Sequence, residues 1–230
     1  MHLVPTQEEV IKLLRSTGAL LDGHFEYSNG LHTNQHIETA LAMRSYQNAK
    51  ILSVGLSRLL RANPEIKALL GETSIVAATT SGLPVAYGLS EVLQPRQVYW
   101  AEKEDRDRPM HFRQGLGPVA GERVILVDDI LRAGQLLTEA RNLLEAGGAQ
   151  VVALAVLIYE PTPATLTFGQ LPVYQLATLA PRAYIDALSC DLCKRHIPLE
   201  RIGRHPKWTE GPEIAALLIS GAGSQPAAGS

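Results

Sequence analysis

Two adjacent carboxylates, Asp128 and Asp129, follow the aliphatic run Val124 to Val127 and precede Arg132, Ala133, Gly134 and Gln135. Neighbouring carboxylates at a strand end can accept hydrogen bonds from the vicinal hydroxyls of a ribose, directly or through a divalent cation. The backbone N–H groups of Arg132, Ala133, Gly134 and Gln135, beside a glycine where a helix starts, form a cradle for a phosphate. Together these groups suit a phosphorylated sugar. The plainer alternative is an ordinary strand-to-helix joint in which Asp129 only caps the helix.

The flanking segments must put these groups in place. Val124 to Val127 has the composition of a strand buried on both faces. From Gln135 to Ala146 apolar residues recur at helical spacing (Leu136, Leu137, Ala140, Leu143, Leu144), and Gly147 and Gly148 end the run. Val151 to Tyr159 reads as the next strand. The three pieces make a β-α-β unit, whose ligands collect at the carboxyl ends of its strands, and both aspartates are expected in the short loop there.

The same alternation extends upstream. Thr6 and Glu9 form a capping box for a helix running through Leu14 and closing near Gly18. Residues 19–43 read as short extended or irregular pieces, with turns at Gly23 and at Asn29-Gly30. Ser45 to Arg61 is amphipathic and is broken by Asn63-Pro64. Ile75 to Ala78 reads as a strand, Pro84 to Leu93 as a helix and Gln97 to Ala101 as another strand. A mainly parallel sheet covered by helices on both faces follows, with its functional loops on one edge.

Two further segments carry chemistry-bearing residues. Glu102 to Arg113 is densely charged and follows a strand directly. It reads either as a solvated surface loop or as a lid that brings Lys103, Arg106 and Arg108 against a negatively charged leaving group. Near the C-terminus, Cys190 and Cys193 form a Cys-x-x-Cys pair, with His196 and His205 beyond it. Two thiolates and two imidazoles can hold zinc, but these histidines lack the usual short spacing, so two reduced cysteines on a local turn is the plainer reading.

The region around Asp128 resembles the phosphoribosyl-pyrophosphate signature of the type I phosphoribosyltransferases. Three other segments, in order over about residues 10–160, narrow the resemblance to the orotate phosphoribosyltransferase group. Thr17 to Thr33, with its aliphatic run, Gly23-His24-Phe25 and a Ser-Asn-Gly turn, is similar to that group's N-terminal hood segment. Ala78 to Pro84 is similar to its pyrophosphate loop, and Trp100 to Arg108 to its mobile catalytic loop.

The resemblance implies a fold, a reaction and roles for particular residues. The fold is a type I α/β core with an N-terminal hood and a Cys-containing C-terminal tail. The reaction transfers a phosphoribosyl group from phosphoribosyl pyrophosphate to orotate, giving orotidine monophosphate and pyrophosphate. Lys103, Arg106, Asp107 and Arg108 are then the catalytic loop, and Asp128 and Asp129 hold the ribose. Arg132, Ala133, Gly134 and Gln135 hold the 5′-phosphate, while Thr80, Ser81 and Gly82 lie on the pyrophosphate side. Phe25, Tyr27 and His32 are the base-side candidates, each also readable as a core or turn residue. Magnesium is the implied cofactor, carried on substrate oxygens with no side chain assigned as its ligand, and a homodimer sharing its lids is the implied assembly.

Some positions depart from the family pattern. Arg132 and Gln135 stand where threonines flank Ala-Gly, Ser81 replaces a lysine, Arg108 replaces a histidine, and His36 and Ile37 fall near the place of an aromatic pair. Backbone donors survive the first exchange, and the Arg132 guanidinium is a candidate replacement for a lost hydroxyl. Transfer to a different base, and a regulatory protein that senses phosphoribosyl pyrophosphate without catalysis, remain as alternatives.

Composition bounds the remainder. The chain has 230 residues, room for one α/β domain with appendages, and its net charge of −2 argues against a generic nucleic-acid binder. No apolar run approaches the roughly 20 residues of a membrane span and no signal-peptide pattern opens the sequence, so a cytosolic location is expected. Two cysteines are too few for a disulfide framework. The expected division is 1–44 for the first helix and hood, 45–180 for the core, 181–220 for a C-terminal extension and 221–230 for a low-complexity, disordered tail.

Overall fold

Thr6 opens the first helix as its spacing to Glu9 predicts. Its hydroxyl accepts from the Glu9 N–H, and the Glu9 carboxylate accepts from the Thr6 N–H at 2.8 Å, so two otherwise unpaired donors of α1 (Gln7–Ser16) are satisfied. The computed structural model of the chain describes residues 4–27, 30–105, 107–162 and 165–202. Arg106, His205 and the expected tail at 221–230 lie outside the described residues.

After α1 come β1 (Leu20–Glu26), β2 (His32–Ile37), α2 (Ala40–Met43), α3 (Tyr46–Ala62) and α4 (Pro64–Leu69). Asn63-Pro64 ends α3 as expected, yet the chain turns straight into another helix. The Asn63 carboxamide oxygen accepts from the N–H groups of Glu65 and Ile66, and Pro64 needs no donor in the first turn of α4. The core then follows as β3 (Thr73–Ala77), α5 (Leu83–Leu93), β4 (Val98–Trp100), β5 (Arg123–Leu131), α6 (Gln135–Ala146), β6 (Gln150–Tyr159) and β7 (Val173–Thr178). Last are β8 (Ala183–Tyr184), α7 (Asp191–Lys194) and β9 (Glu200–Arg201).

The described residues form two compact units, one of residues 4–22 with 36–181 and the other of 23–35 with 182–202. In the first, five parallel strands take the order β4-β3-β5-β6-β7. Alternation puts Ile75, Ala77, Ile125 and Val127 in one apolar cluster with Leu52, Leu56 and Leu89 of the helices. Val76, Val124 and Leu126 enter a second cluster with Leu137, Ala140 and Leu144 of α6. Burial of both faces is what the unbroken aliphatic runs require. In the described residues no helix is long and apolar enough to cross a membrane.

Chain order in this sheet reverses at β3: β4 lies on one side of it and β5 on the other. The loops leaving the carboxyl ends of β3 and β5 must diverge there, which opens the crevice where open α/β sheets bind ligands. β5 is longer than the sequence suggests. Val124 to Val127 was expected to be the whole strand, but pairing with β6 continues through Leu131↔Tyr159, whereas pairing with β3 stops at Ala77↔Val127. Asp128 and Asp129 therefore sit in a strand held on one side only, and the loop is shortened to Arg132, Ala133 and Gly134. The long partner β6 supplies the hydrogen bonds that two aspartates would not recruit by propensity.

The second unit contains the β-ladders β2–β8, antiparallel through His32↔Tyr184, and β1–β9, parallel through Phe25↔Glu200. Among its described residues the buried ones are His24, Phe25, His32, Thr33 and Cys190. Only Phe25 and Cys190 among them are apolar, too few for an ordinary hydrophobic core.

Candidate active site

Asp128 is 5% exposed, an unusual position for a carboxylate. The Thr79 hydroxyl donates to its Oδ1 at 2.6 Å and the Asp129 N–H donates to the same oxygen at 3.0 Å. Burial, reinforced by the neighbouring Asp129 charge, pushes the Asp128 carboxyl from its ordinary 3.8 up to about 8. Asp129 is half-buried and accepts from the Thr39 hydroxyl at the start of α2. Val127 and Ile130, three residues apart, both meet the same apolar cluster, so regular alternation is interrupted at the two aspartates.

The pyrophosphate-side residues fill the turn between β3 and α5. Thr80 and Ser81 are exposed and Gly82 is buried. The Gly82 N–H donates to the Thr79 carbonyl at 3.1 Å. A Cβ at Gly82 would lie 3.0 Å from Asp128 Oδ1 and 3.1 Å from both Asp128 Cα and the Val127 carbonyl. Glycine lets the turn lie against β5, and a side chain there would force its neighbours back by a few tenths of an ångström. Gly82→Ala is expected to cost about 1–3 kcal/mol, because two of the three obstructing atoms are backbone. A melting temperature within about one degree of the parent would show that the turn can yield.

At the start of α6, Gly134 has φ +80°, and the 5′-phosphate candidates Arg132, Ala133, Gly134 and Gln135 wrap the helix end. The Ala133 carbonyl accepts from Leu166 N–H at 2.9 Å and the Arg132 carbonyl from the Thr165 hydroxyl at 2.6 Å. With its carbonyls anchored, the loop presents its amide side, and the first-turn N–H groups of a helix have no partner within that helix. The Arg132 guanidinium turns to the buried Glu160, with Nε and Nη2 donating to its two carboxylate oxygens at 2.8 and 2.9 Å. That two-point pair stiffens the loop. The Arg132 guanidinium, expected as a replacement for a lost hydroxyl, is instead committed to Glu160.

Glu102 and His111 exchange backbone hydrogen bonds at 2.8 and 2.9 Å, closing the charged segment into a hairpin-like loop after β4. Lys103 Nζ donates to both carboxylate oxygens of Glu139 on α6, at 2.7 and 2.6 Å, and the Met110 N–H donates to Glu139 Oε1. These bonds hold the Glu139 carboxyl below its ordinary range, the Lys103 contribution being the largest. Asp107 is exposed and Arg108 pairs with Glu104 at 3.2 Å on the surface. The loops after β3, β4 and β5 leave the carboxyl ends of three neighbouring parallel strands.

The base-side candidates belong to the second unit. Phe25 is 3% exposed, as its alternative reading as a core residue has it. Tyr27 belongs to a turn in which its N–H donates to the Leu31 carbonyl at 2.9 Å. His32 is buried with its Nδ1 2.9 Å from His24 Nε2 and 3.5 Å from Cys193 Sγ. Cys190 and Cys193 thus meet histidines from β1 and β2 rather than the downstream pair: His196 is exposed, and His205 is outside the described residues. Thr39, Thr79, Glu139 and Glu160 also escaped the sequence reading. Thr79 alone had a local signal, its place directly beside the Thr80-Ser81-Gly82 motif.

Comparisons with known proteins agree with this arrangement. Residues 63–166 match the phosphoribosyl transferase domain. The chain is 30% identical over 195 residues to the orotate phosphoribosyltransferase of Carboxydothermus hydrogenoformans, covering 85% of this chain and 96% of that one. It is 29% identical to the Thermotoga maritima protein of the same name over 84% of this chain and 96% of the relative. Among solved structures, the orotate phosphoribosyltransferase from Aeropyrum pernix superposes with a TM-score of 0.59 at 22% identity, over 74% of this chain and 93% of that one. With the carboxylate pair at the sheet's reversal point and identity sustained along nearly the whole relative, the chain belongs to the orotate phosphoribosyltransferase family.

Proposed function

We infer that this protein transfers the phosphoribosyl group of phosphoribosyl pyrophosphate to orotate, yielding orotidine 5′-monophosphate and pyrophosphate. The observation that carries the reading is the buried Asp128 beside Asp129 at the β3/β5 crevice, in a chain 30% identical to a curated orotate phosphoribosyltransferase.

Asp128 and Asp129 accept hydrogen bonds from the ribose hydroxyls, and Thr79 and Thr39 fix the two carboxylates in place. The amide groups of the loop from Arg132 to Gln135 hold the 5′-phosphate. The turn of Thr80, Ser81 and Gly82 orients the pyrophosphate. As the glycosidic bond breaks, negative charge grows on pyrophosphate and positive charge on the sugar. Lys103, with Arg106 and Arg108 of the same loop, meets the first, and loop closure keeps out water that would hydrolyse the activated sugar. Asp107 balances charge within the loop. Asp128, Asp129, Thr79 and Thr39 offer two carboxylates and two hydroxyls, oxygen donors that fit a hard cation such as Mg²⁺. When bound, Mg²⁺ would face Asp128 and Asp129 and neutralise developing charge on the leaving group. Tyr27 remains the base-side candidate, His32 being buried against His24 and Cys193, and a cytosolic homodimer with shared lids is the assembly that goes with this reading.

A steady-state assay with phosphoribosyl pyrophosphate, Mg²⁺ and a panel of bases tests it, following pyrophosphate release. Release that depends on orotate is expected. Release with a different base alone would refute the acceptor, and binding of the sugar phosphate without release under any base would refute the enzyme.

A further inference from the structure

We propose that His24, His32, Cys190 and Cys193 form a structural zinc site that fastens the C-terminal extension to the β1–β2 hairpin. The four ligand atoms lie within 4.8 Å of one another. Three of the four residues are fully buried: His24 and His32 are each 3% exposed and Cys190 is 0% exposed.

The spacing is that of a coordination shell. A tetrahedral zinc with bonds of about 2.3 Å to sulfur and about 2.0–2.1 Å to nitrogen sets its sulfur and nitrogen ligands about 3.6 Å apart. Here Cys190 Sγ is 3.5 Å and Cys193 Sγ 3.6 Å from His24 Nε2, and Cys193 Sγ is 3.5 Å from His32 Nδ1. The two ring nitrogens are 2.9 Å apart, somewhat inside the roughly 3.3 Å of an ideal shell. His24 Nε2 thus has two sulfurs and a nitrogen converging on it, more than one hydrogen bond can account for.

The protonation pattern agrees. His24 Nδ1 lies 2.9 Å from the Ile197 carbonyl, which can only accept, so Nδ1 carries the proton and Nε2 turns its lone pair toward the cluster. An outer hydrogen bond of this kind orients metal-binding histidines. Cys190 is the residue before α7 and Cys193 lies within it, and the turn is tied by Lys194 N–H to the Cys190 carbonyl and His196 N–H to the Cys193 carbonyl. The unit itself shows why a metal is needed. Among its described residues, three of the five buried ones are ligand donors and only Phe25 and Cys190 are apolar, so these residues contribute little hydrophobic core and a metal would supply what holds them together.

The test uses the full chain purified without metal-affinity resin, with zinc measured by mass spectrometry and cobalt as a spectroscopic substitute. About one zinc per chain is expected, released when a mercurial reagent titrates the thiols. The cobalt form should show the visible bands of tetrahedral thiolate coordination. Cys193→Ser should lose the metal, and His196→Asn, outside the cluster, should keep it. Stripping zinc from the parent should lower its melting temperature by several degrees, a readout that survives even if Cys193→Ser fails to fold. Less than about a tenth of a zinc per chain with no cobalt band would overturn the proposal. So would a full complement of zinc that Cys193→Ser retains.

Discussion

Asp128→Asn is expected to abolish orotate-dependent pyrophosphate release while raising the melting temperature of the ligand-free protein. The two effects have one cause. An acid whose ordinary value of 3.8 rises to about 8 in the folded chain takes up a proton on folding at every pH between the two. The stability contributed by the protonated group is complete below about 3.8 and falls away as pH climbs through about 8. Above that, the folded state carries a buried charge. Each tenfold change in proton affinity corresponds to about 1.4 kcal/mol, so the cost reaches on the order of a few kcal/mol at alkaline pH. Asparagine keeps an oxygen for the Thr79 hydroxyl and never ionises. The variant should therefore exceed the parent by several degrees near pH 8 and by little near pH 4, at roughly 2–4 °C per kcal/mol for a chain of this size. Asparagine cannot ionise when the sugar phosphate and its cation bind and offers one acceptor oxygen fewer to the ribose, so turnover should fall by about 10²–10³ and the thermal shift given by phosphoribosyl pyrophosphate should disappear. A melting difference independent of pH would refute the account of Asp128. Intact stabilisation by the sugar phosphate in an Asp128→Asn, Asp129→Asn double variant would refute the ribose assignment.

Lys103→Ala should lower kcat by about 10²–10³ with a smaller change in KM, because the ammonium acts on charge that appears only as pyrophosphate departs. Its effect on stability should be small. The Lys103–Glu139 pair is 21% and 32% exposed at its side chains, and ion pairs so placed contribute about 0–1 kcal/mol. Melting curves and steady-state kinetics on the same preparation separate the two. Glu139→Gln is the useful companion: it retains an acceptor for the Met110 N–H but gives up the charge that holds Lys103. If the pair is a resting position of the lysine, turnover should persist in Glu139→Gln and collapse in Lys103→Ala. Equal turnover in parent and Lys103→Ala would dismiss the lid as a catalytic part.

The parts of this site set by neighbours in sequence were legible, and the parts set by packing were not. The Thr6–Glu9 capping box, the helix from Gln135 to Ala146 and the parallel alternation of strands follow from spacings of a few residues. So does the carboxylate pair itself. The continuation of β5 to Leu131 was hidden because Asp128 and Asp129 disfavour strands, and only the ten-residue β6 beside them overrides that preference. Thr39 lies 90 residues before its partner Asp129, and a lone threonine gives no sign of which carboxylate it will meet. Arg132 looked like a phosphate ligand until Glu160, 28 residues on, was seen to hold its guanidinium. His32 read as a base-side or turn residue and His24 drew no role, because Cys193 stands more than 160 residues downstream of His32. A Cys-x-x-Cys motif announces half a ligand set, and topology alone supplies the other half.

The two flanking strands β8 and β9 impose an order on biosynthesis. β2 is paired by β8 and β1 by β9, both from the last stretch of the described chain. At typical elongation rates of about 5–20 residues per second, the hairpin waits roughly ten to thirty seconds on the ribosome for its outer partners. During that interval its edges offer unpaired backbone groups to any passing strand. A chain released after Pro181 would keep them exposed permanently. Premature termination should therefore yield a sticky product rather than a merely slower enzyme, and chaperone demand should peak before the final twenty-odd described residues emerge.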